Sequence, residues 1–377
     1  MSAPLRIVVD VTTWAPERTG IGLYTERLLR AWLVDHPEDT LYAASNIGFS
    51  ELGPAPMPHI GPRFPVRAVW LQTALPLQTA RLRPDFAFFP NYMAPIFPTC
   101  PYVVTVHDLA VFLYPETFTF KKRVLQRALL PTLVRRAAAV LTPSEATRRD
   151  VIRLLPCDPE RIVAIPLAAD DSYNSMPTAG EVALHRQTLK LPDHYVLAVG
   201  TLEPRKNLSR LISVFERVAS AHPEVHLVIA GGRGWRDEDI HSALQQSPLQ
   251  ARIHKLGYVS AEALRVLYHE AIALCYPSLY EGFGLPVAEA MAMGTPVLTS
   301  RGSSLDEVAA GAALAVDPLS LDEMAGGLSR LLTDDSLRFE LRQKGLARAS
   351  QLSWRLAAQQ TRAVFERLRA GEKPRQP

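Results

Sequence analysis

Cysteine is nearly missing from this chain: Cys100, Cys157 and Cys275 are the only three in 377 residues. They are scattered and lack Cys-x-x-Cys spacing. That argues against a disulfide framework and against a zinc site, and it suits a reducing compartment. Long apolar runs are also missing. No segment approaches the ~20 consecutive apolar residues of a membrane-spanning helix. The opening Met1–Trp14 runs straight into a strand pattern without the apolar core of a signal peptide, so the chain is expected to stay in the cytoplasm. Neither sign of charge dominates. Forty-one Lys and Arg against 38 Asp and Glu leave a net charge of +3, too close to balance for nucleic acid to be the main partner. There is no internal repeat and no low-complexity tract.

What the chain does have is length and short buried strands. Its 377 residues exceed one ordinary core, so two domains are expected, and 47% apolar against 21% charged residues marks a globular chain. Leu5–Val11, Leu41–Asn46, Asp85–Pro90, Tyr102–Val106 and Ala139–Pro143 read as strands of a first sheet. Their unbroken hydrophobicity points to burial on both faces, as in a parallel sheet. Helical patterns at Gly22–Asp35 and Lys121–Ala138 lie between them. A more regular series follows: strands at His194–Gly200, Val225–Gly231, Ile253–Tyr258, Ile272–Pro277 and Pro296–Ser300, with helices at Asn207–Ala221, Ser260–Ala271 and Pro286–Met293. Two doubly wound Rossmann-like halves are the economical reading. The aperiodic stretch Pro166–Gly180 places their boundary within 166–190, and domains over 1–175 and 176–352 are expected. Helices at Asp335–Ala349 and Trp354–Arg369 close the chain, and the tail Gly371–Pro377 is expected to be disordered.

The most informative segment runs from Tyr280 to Glu289, Tyr-Glu-Gly-Phe-Gly-Leu-Pro-Val-Ala-Glu. A buried strand ends at Pro277, a glycine-containing loop follows, and a helix begins with proline at its first position, where the missing amide costs nothing. Free backbone amides and the positive end of a helix dipole therefore meet at the C-terminal edge of a parallel sheet. That arrangement binds anions, and diphosphate is the usual one. Glu281 and Glu289 bracket the loop. Either could accept hydrogen bonds from sugar or ribose hydroxyls; equally, Glu289 could merely complement the helix dipole and Glu281 be a solvated loop residue. The run Gly200-Thr201-Leu202-Glu203-Pro204-Arg205-Lys206-Asn207 also follows a buried strand and precedes a helix. Arg205 and Lys206 would reach the same edge and could neutralise a diphosphate; read alone, the run also suits a solvated basic turn.

Taken together, these motifs resemble the group 1 family of retaining nucleotide-sugar glycosyltransferases. Glu281–Glu289 is similar to that family's E-x7-E signature, and Gly200–Asn207 to its phosphate-binding Arg/Lys turn. Gly20-Ile21-Gly22, His107-Asp108-Leu109, Pro143-Ser144-Glu145, Gly294-Thr295-Pro296-Val297 and Ser304–Val308 follow in the family's order over nearly the whole chain. The resemblance implies the GT-B fold, an α/β architecture of two Rossmann-like doubly wound parallel-sheet domains facing across a cleft. The last helix, 353–370, would cross back to the acceptor-side N-terminal domain. By the same resemblance, Arg205 and Lys206 hold the donor diphosphate, Glu281 contacts sugar hydroxyls, and His107 reaches the donor sugar from the acceptor side. The Phe283, Gly284 and Leu285 amides approach sugar and phosphate, Glu289 binds the ribose, Gly257 and Tyr258 lie near the base, and Gly20, Gly22 and Thr201 complete the donor site, the two glycines as a loop.

The resemblance further implies transfer of a hexose with retention, without metal or other cofactor, from a nucleotide sugar to a glycan or lipid-linked glycan. GDP-mannose is the first expectation for the donor, and bacterial surface polysaccharide or glycolipid assembly for the setting. Asp237-Glu238-Asp239 matches a D-x-D metal pattern but stands where acids ordinarily begin a helix. Lys121–Arg136 carries Lys121, Lys122, Arg123, Arg127, Arg135 and Arg136 with no acid. It would either touch anionic lipid of the inner membrane or present a solvated basic face, and Pro131 could break it in two. Three other readings compete. An NAD-dependent dehydrogenase would need G-x-G-x-x-G closing the first strand, and Gly20, Gly22 and Thr25 do not supply it. A solute-binding protein would need an export signal. A nucleotide-sugar epimerase of the same two-lobed fold would act without an acceptor.

Overall fold

In the computed structural model, residues 3–14, 20–47, 57–61, 64–234 and 237–374 are described. The chain divides into two compact units. The first comprises Met1–Phe112, Phe120–Leu167 and Ser353–Pro377; the second comprises Leu113–Thr119 and Ala168–Leu352.

The first unit holds β1 (Arg6–Asp10), β2 (Thr40–Ala44), β3 (His59–Ile60), β4 (Phe86–Phe89), β5 (Tyr102–Thr105), β6 (Ala139–Thr142) and β7 (Ile162–Ala164). They form one sheet in the order β3-β2-β1-β4-β5-β6-β7, parallel throughout. The second unit holds β8 (His194–Val199), β9 (Val225–Ala230), β10 (Ile253–Gly257), β11 (Ala273–Tyr276), β12 (Val297–Ser300) and β13 (Leu314–Val316), in the order β10-β9-β8-β11-β12-β13 and again all parallel. Both orders are the doubly wound Rossmann order, with an extra strand at one end of the first. β4, β5, β6 and β11 are buried at every position, as strands covered on both faces must be. Helix Leu208–Ala219 packs Leu208, Leu211, Ile212 and Phe215 onto the second sheet, apolar positions spaced by three and four.

The final helix, Trp354–Arg369, belongs to the first unit. Phe365 stacks against Trp32, Phe86 and Phe88 with ring centroids 5.5–5.7 Å apart. Beneath it, the buried Arg362 guanidinium donates to Asp39 (Nε–Oδ2 2.7 Å). Asp39 also accepts from Trp32 Nε1 and the Leu5 amide, each at 2.8 Å.

Several boundaries differ from the sequence expectations. β3, β7 and β13 were not anticipated; they have two or three residues each and lie at sheet edges, too short to show a period. The division falls between Leu167 and Ala168 rather than at 175, because Tyr173 is already packed edge-on against Tyr268 of the second unit. Gly20 and Gly22 are the first turn of helix Gly20–Asp35, not a loop, and a side-chain carbon on Gly20 would meet open space. Helix Phe120–Arg136 runs unbroken through Pro131. Pro286 takes the second position of helix Leu285–Ala292, not the first. In the tail, Lys373 pairs with Asp158 and Glu160, so 371–374 are folded onto the first unit; 375–377 lie outside the described residues.

Candidate active site

Strand order reverses in the second sheet between β8 and β11. A crevice opens at such a point, because the loops leaving the two strands turn to opposite faces. Here they are Gly200–Asn207 and Pro277–Gly284. Asn207 clips them together: in left-handed conformation (φ 60°), it donates from its side chain to Pro277 O (3.1 Å) and Pro318 O (2.7 Å). Backbone contact continues on the other side, where a Cβ on Gly231 would stand 1.9 Å from Gly200 O. Only glycine permits that approach.

The two loops bring Arg205, Lys206 and Glu281 into one ion cluster. Arg205 Nη1 donates to Tyr280 O (2.6 Å) and Glu281 Oε2 (2.8 Å), and Nη2 to Glu203 Oε1 (2.7 Å). Lys206 Nζ donates to Glu281 Oε1 (2.6 Å) and Tyr276 Oη (2.7 Å), and lies 5.0 Å from the Tyr276 ring centre. Tyr276 Oη donates to the same Glu281 oxygen at 3.0 Å. Burial alone would raise the Glu281 carboxyl; the Arg205 and Lys206 charges outweigh it and hold the group down to about 2. Burial opposes the Lys206 charge in turn, but Glu281 keeps the ammonium well above its ordinary range. All three groups are therefore charged at neutral pH. The basic run is not a solvated turn.

Gly284 caps helix Leu285–Ala292 at φ +114°, with a hypothetical Cβ 2.3 Å from Leu305 Cδ2. The Val287 and Ala288 amides fold back onto Gly284 O at 2.9 and 3.3 Å. The helix start thus stands at the crevice, and Ser304 Oγ pins Glu281 O at 2.7 Å. Glu289 lies beyond the first turn, which carries no acid, so it is not a dipole partner. It is 8% exposed, and its Oε2 accepts from Tyr268 Oη at 2.8 Å. Burial lifts its carboxyl to about 7, against the Tyr268 hydrogen bond.

Residues 183–348 match the family described as "Glycosyl transferases group 1", and residues 18–173 match "Glycosyltransferase Family 4". The chain is 34% identical over 268 residues to O-antigen chain mannosyltransferase B of Escherichia coli, covering 71% of this chain and 70% of that one. It is 33% identical to O-antigen chain mannosyltransferase RfbU of Salmonella typhimurium, covering 57% of this chain and 56% of that protein. The chain belongs to the group 1 glycosyltransferase family. Its fold is shared with HepE of Anabaena, solved in complex with UDP and glucose, at a TM-score of 0.75 and 18% identity over 96% of this chain and 99% of that one. The fold is thus GT-B.

In this glycosyltransferase the second unit gathers Arg205, Lys206, Glu281 and the Phe283–Leu285 turn. Gly257 ends the edge strand β10, and Tyr258 beyond it is 84% exposed. Thr201 is exposed beside Gly234. Asp237 is tied to His241 (3.1 Å) and Arg233 (3.5 Å) at the start of helix Glu238–Gln246, while Trp235 and Arg236 lie outside the described residues. His107, Gly20 and Gly22 belong to the first unit. His107 Nε2 must donate to Pro90 O (2.7 Å), since a carbonyl can only accept, and burial lowers the ring's pKa. The ring is then neutral, with Nδ1 left as the acceptor. Tyr276 and Tyr268 carry no signal in the sequence, whereas Asn207 and Ser304 stand at the ends of the Gly200–Asn207 and Ser304–Val308 motifs without a role assigned to either; Asn207 is also a residue tolerant of left-handed backbone directly after the basic pair.

Proposed function

We propose that this glycosyltransferase moves a hexose, mannose from GDP-mannose in the first instance, onto a hydroxyl of a glycan or lipid-linked glycan acceptor, with retention at the anomeric carbon. The ion cluster at the second unit's crevice carries the reading. Two cations, fixed by Glu281 and Tyr276, stand beside a helix start where a departing diphosphate would gather charge. As the bond from C1 to phosphate oxygen breaks, charge builds on the diphosphate, and fixed donors lower the barrier most where charge develops. The acceptor oxygen bonds to C1 on the same face, and its proton passes to the leaving phosphate oxygen. Glu281, ionised throughout, accepts from sugar hydroxyls. Arg205 and Lys206 supply the neutralisation that a divalent ion gives elsewhere, so transfer is proposed to need no metal. The names of the E. coli and Salmonella relatives support mannose and a place in surface polysaccharide assembly.

The test is a panel of nucleotide sugars. The true donor raises the melting temperature most, and the anomeric configuration of the product is then read by NMR. Equal stabilisation by every donor, or an inverted product, overturns the reading.

Glu289 gives the donor site a pH dependence. Ribose hydroxyls donate best to an ionised carboxylate, yet the free enzyme protonates this one near pH 7. GDP should bind roughly tenfold more tightly at pH 8 than at pH 6, and Glu289→Gln should flatten that slope. Stability runs the other way. With its folded pKa raised, Glu289 contributes fully below the ordinary carboxylate range, and the contribution is lost as pH rises through about 7.

A further inference from the structure

Glu289 has one carboxylate oxygen engaged and one open. Its Oε2 accepts from Tyr268 Oη at 2.8 Å; among the described residues, Oε1 accepts no hydrogen bond. A carboxylate oxygen in so buried a side chain, 8% exposed, gains most from a donor that a ligand brings.

The partner of Oε2 is held rigidly. Tyr268 lies on helix Ala261–Glu270 and is 0% exposed. Its carbonyl accepts from Thr295 Oγ1 at 2.7 Å, and its ring packs edge-on against Tyr173 with centroids 5.9 Å apart. Thr295 and Tyr173 are themselves buried. Burial and the neighbouring Glu289 charge push the phenol well above its ordinary range, so the hydroxyl keeps its proton and donates to the ionised carboxylate. A glutamate has three rotatable bonds. A donor fixed on the opposing helix orders them before any ligand arrives, and ordering completed beforehand does not weaken binding. With Oε2 held, Oε1 is the acceptor left for a ligand hydroxyl. Ribose presents two neighbouring hydroxyls that can donate to it.

We propose that Tyr268 is a positioning residue for nucleotide recognition: its hydroxyl holds Glu289 so that the open oxygen takes the ribose hydroxyls, and the pair favours ribonucleotide over deoxyribonucleotide donors. The proposal rests on the reading of Glu289 as the ribose contact. Tyr268 is enclosed, so it acts through Glu289 and touches no ligand itself. A deoxyribose leaves Oε1 unpaired, and an unpaired buried polar atom is the strongest ground for rejecting an analogue.

The test compares dissociation constants of GDP and 2′,3′-dideoxy-GDP, or of the uridine pair if UDP binds better, at a pH two units above the Glu289 titration near 7. The wild-type chain should prefer the ribonucleotide by roughly 10–100-fold, the range for hydrogen bonds to a charged group. Tyr268→Phe deletes one oxygen, keeps the ring against Tyr173 and leaves Glu289 able to protonate, so the chain folds; its melting temperature is the check. This variant should lower the preference by about 3–10-fold, the size of one hydrogen bond, while binding of the dideoxy form holds steady. A tyrosine that only fills space would change both nucleotides alike. Glu289→Ala should remove the preference, and adding Tyr268→Phe to it should change nothing further. No preference in the wild-type chain overturns the proposal. A preference that Glu289→Ala removes and Tyr268→Phe leaves intact also overturns it, with the ribose contact still standing; one that survives Glu289→Ala removes both. Binding alone is read, so these outcomes stand apart from whether a hexose is transferred.

Discussion

Lys206→Ala and Glu281→Ala each lower kcat by about 10²–10³-fold while the chain stays folded. The expectation follows from where the charges are needed. Lys206 Nζ is held by Glu281 and Tyr276 before any substrate arrives, so the site spends nothing on reorganisation when charge moves onto the leaving phosphate. Removing one such preorganised donor typically has this size of effect. Folding survives Lys206→Ala because Glu281 keeps Arg205 at 2.8 Å and Tyr276 at 3.0 Å. In Glu281→Ala the cations lose the carboxylate that fixes them, although Arg205 retains Glu203 and Lys206 retains Tyr276. The pH behaviour separates this carboxylate from Glu289. Its folded pKa is depressed to about 2, so its contribution to stability is fully present above the ordinary carboxylate range and is lost only as pH falls through about 2. Activity near neutrality is therefore insensitive to Glu281 titration. The measurements are steady-state kcat for each variant alongside its melting temperature; wild-type turnover in either removes that residue from the chemistry.

The second large effect is structural. Arg362→Ala destabilises the first unit by about 3–5 kcal/mol, the usual cost of stripping one partner from a buried ion pair. Arg362 is 5% exposed and Asp39 5% exposed, and the variant leaves Asp39 charged under the last helix with only Trp32 and the Leu5 amide. Asp39→Asn keeps an acceptor for only one of those two donors, since the Leu5 amide uses Oδ1 and Trp32 Nε1 uses Oδ2, but it leaves Arg362 paired with Glu38 and Glu366. Denaturant unfolding measures both. A loss below 1 kcal/mol for Arg362→Ala would mean that water replaces the guanidinium and that the helix is held by its other contacts, Phe365, Trp354 and the hydrogen bonds of Arg355 and Gln359 to Asp35. The effect should appear as weaker docking of the Trp354–Arg369 helix, leaving nucleotide affinity per folded molecule unchanged.

Legibility in the sequence tracked physical redundancy. Central strands such as Phe86–Phe89 and Ala273–Tyr276 are buried on both faces, so their composition alone identified them. The edge strands His59–Ile60 and Leu314–Val316 have one neighbour each and too few residues to show a pattern. The Arg205–Lys206 and Glu281–Glu289 segments were legible because each joins a strand end to a helix start, and that grammar is local. The partners that fix their charge states were not. Tyr276 reads as one more apolar residue of a buried strand, and Tyr268 as a core position of a helix; only the fold turns their hydroxyls onto Glu281 and Glu289. Pro131 misled for a related reason, since tertiary packing of Leu130, Leu133 and Val134 outweighs the local cost of a proline within helix Phe120–Arg136.

The most direct test of the central claim is the dissociation constant of GDP or UDP, whichever binds the wild-type chain better, for Arg205→Ala and Lys206→Ala at fixed salt and pH. If these side chains cradle the diphosphate, each substitution weakens binding by roughly 10–100-fold, the value of a charge-assisted hydrogen bond. Unchanged affinity in both variants would place the diphosphate elsewhere and contradict the account.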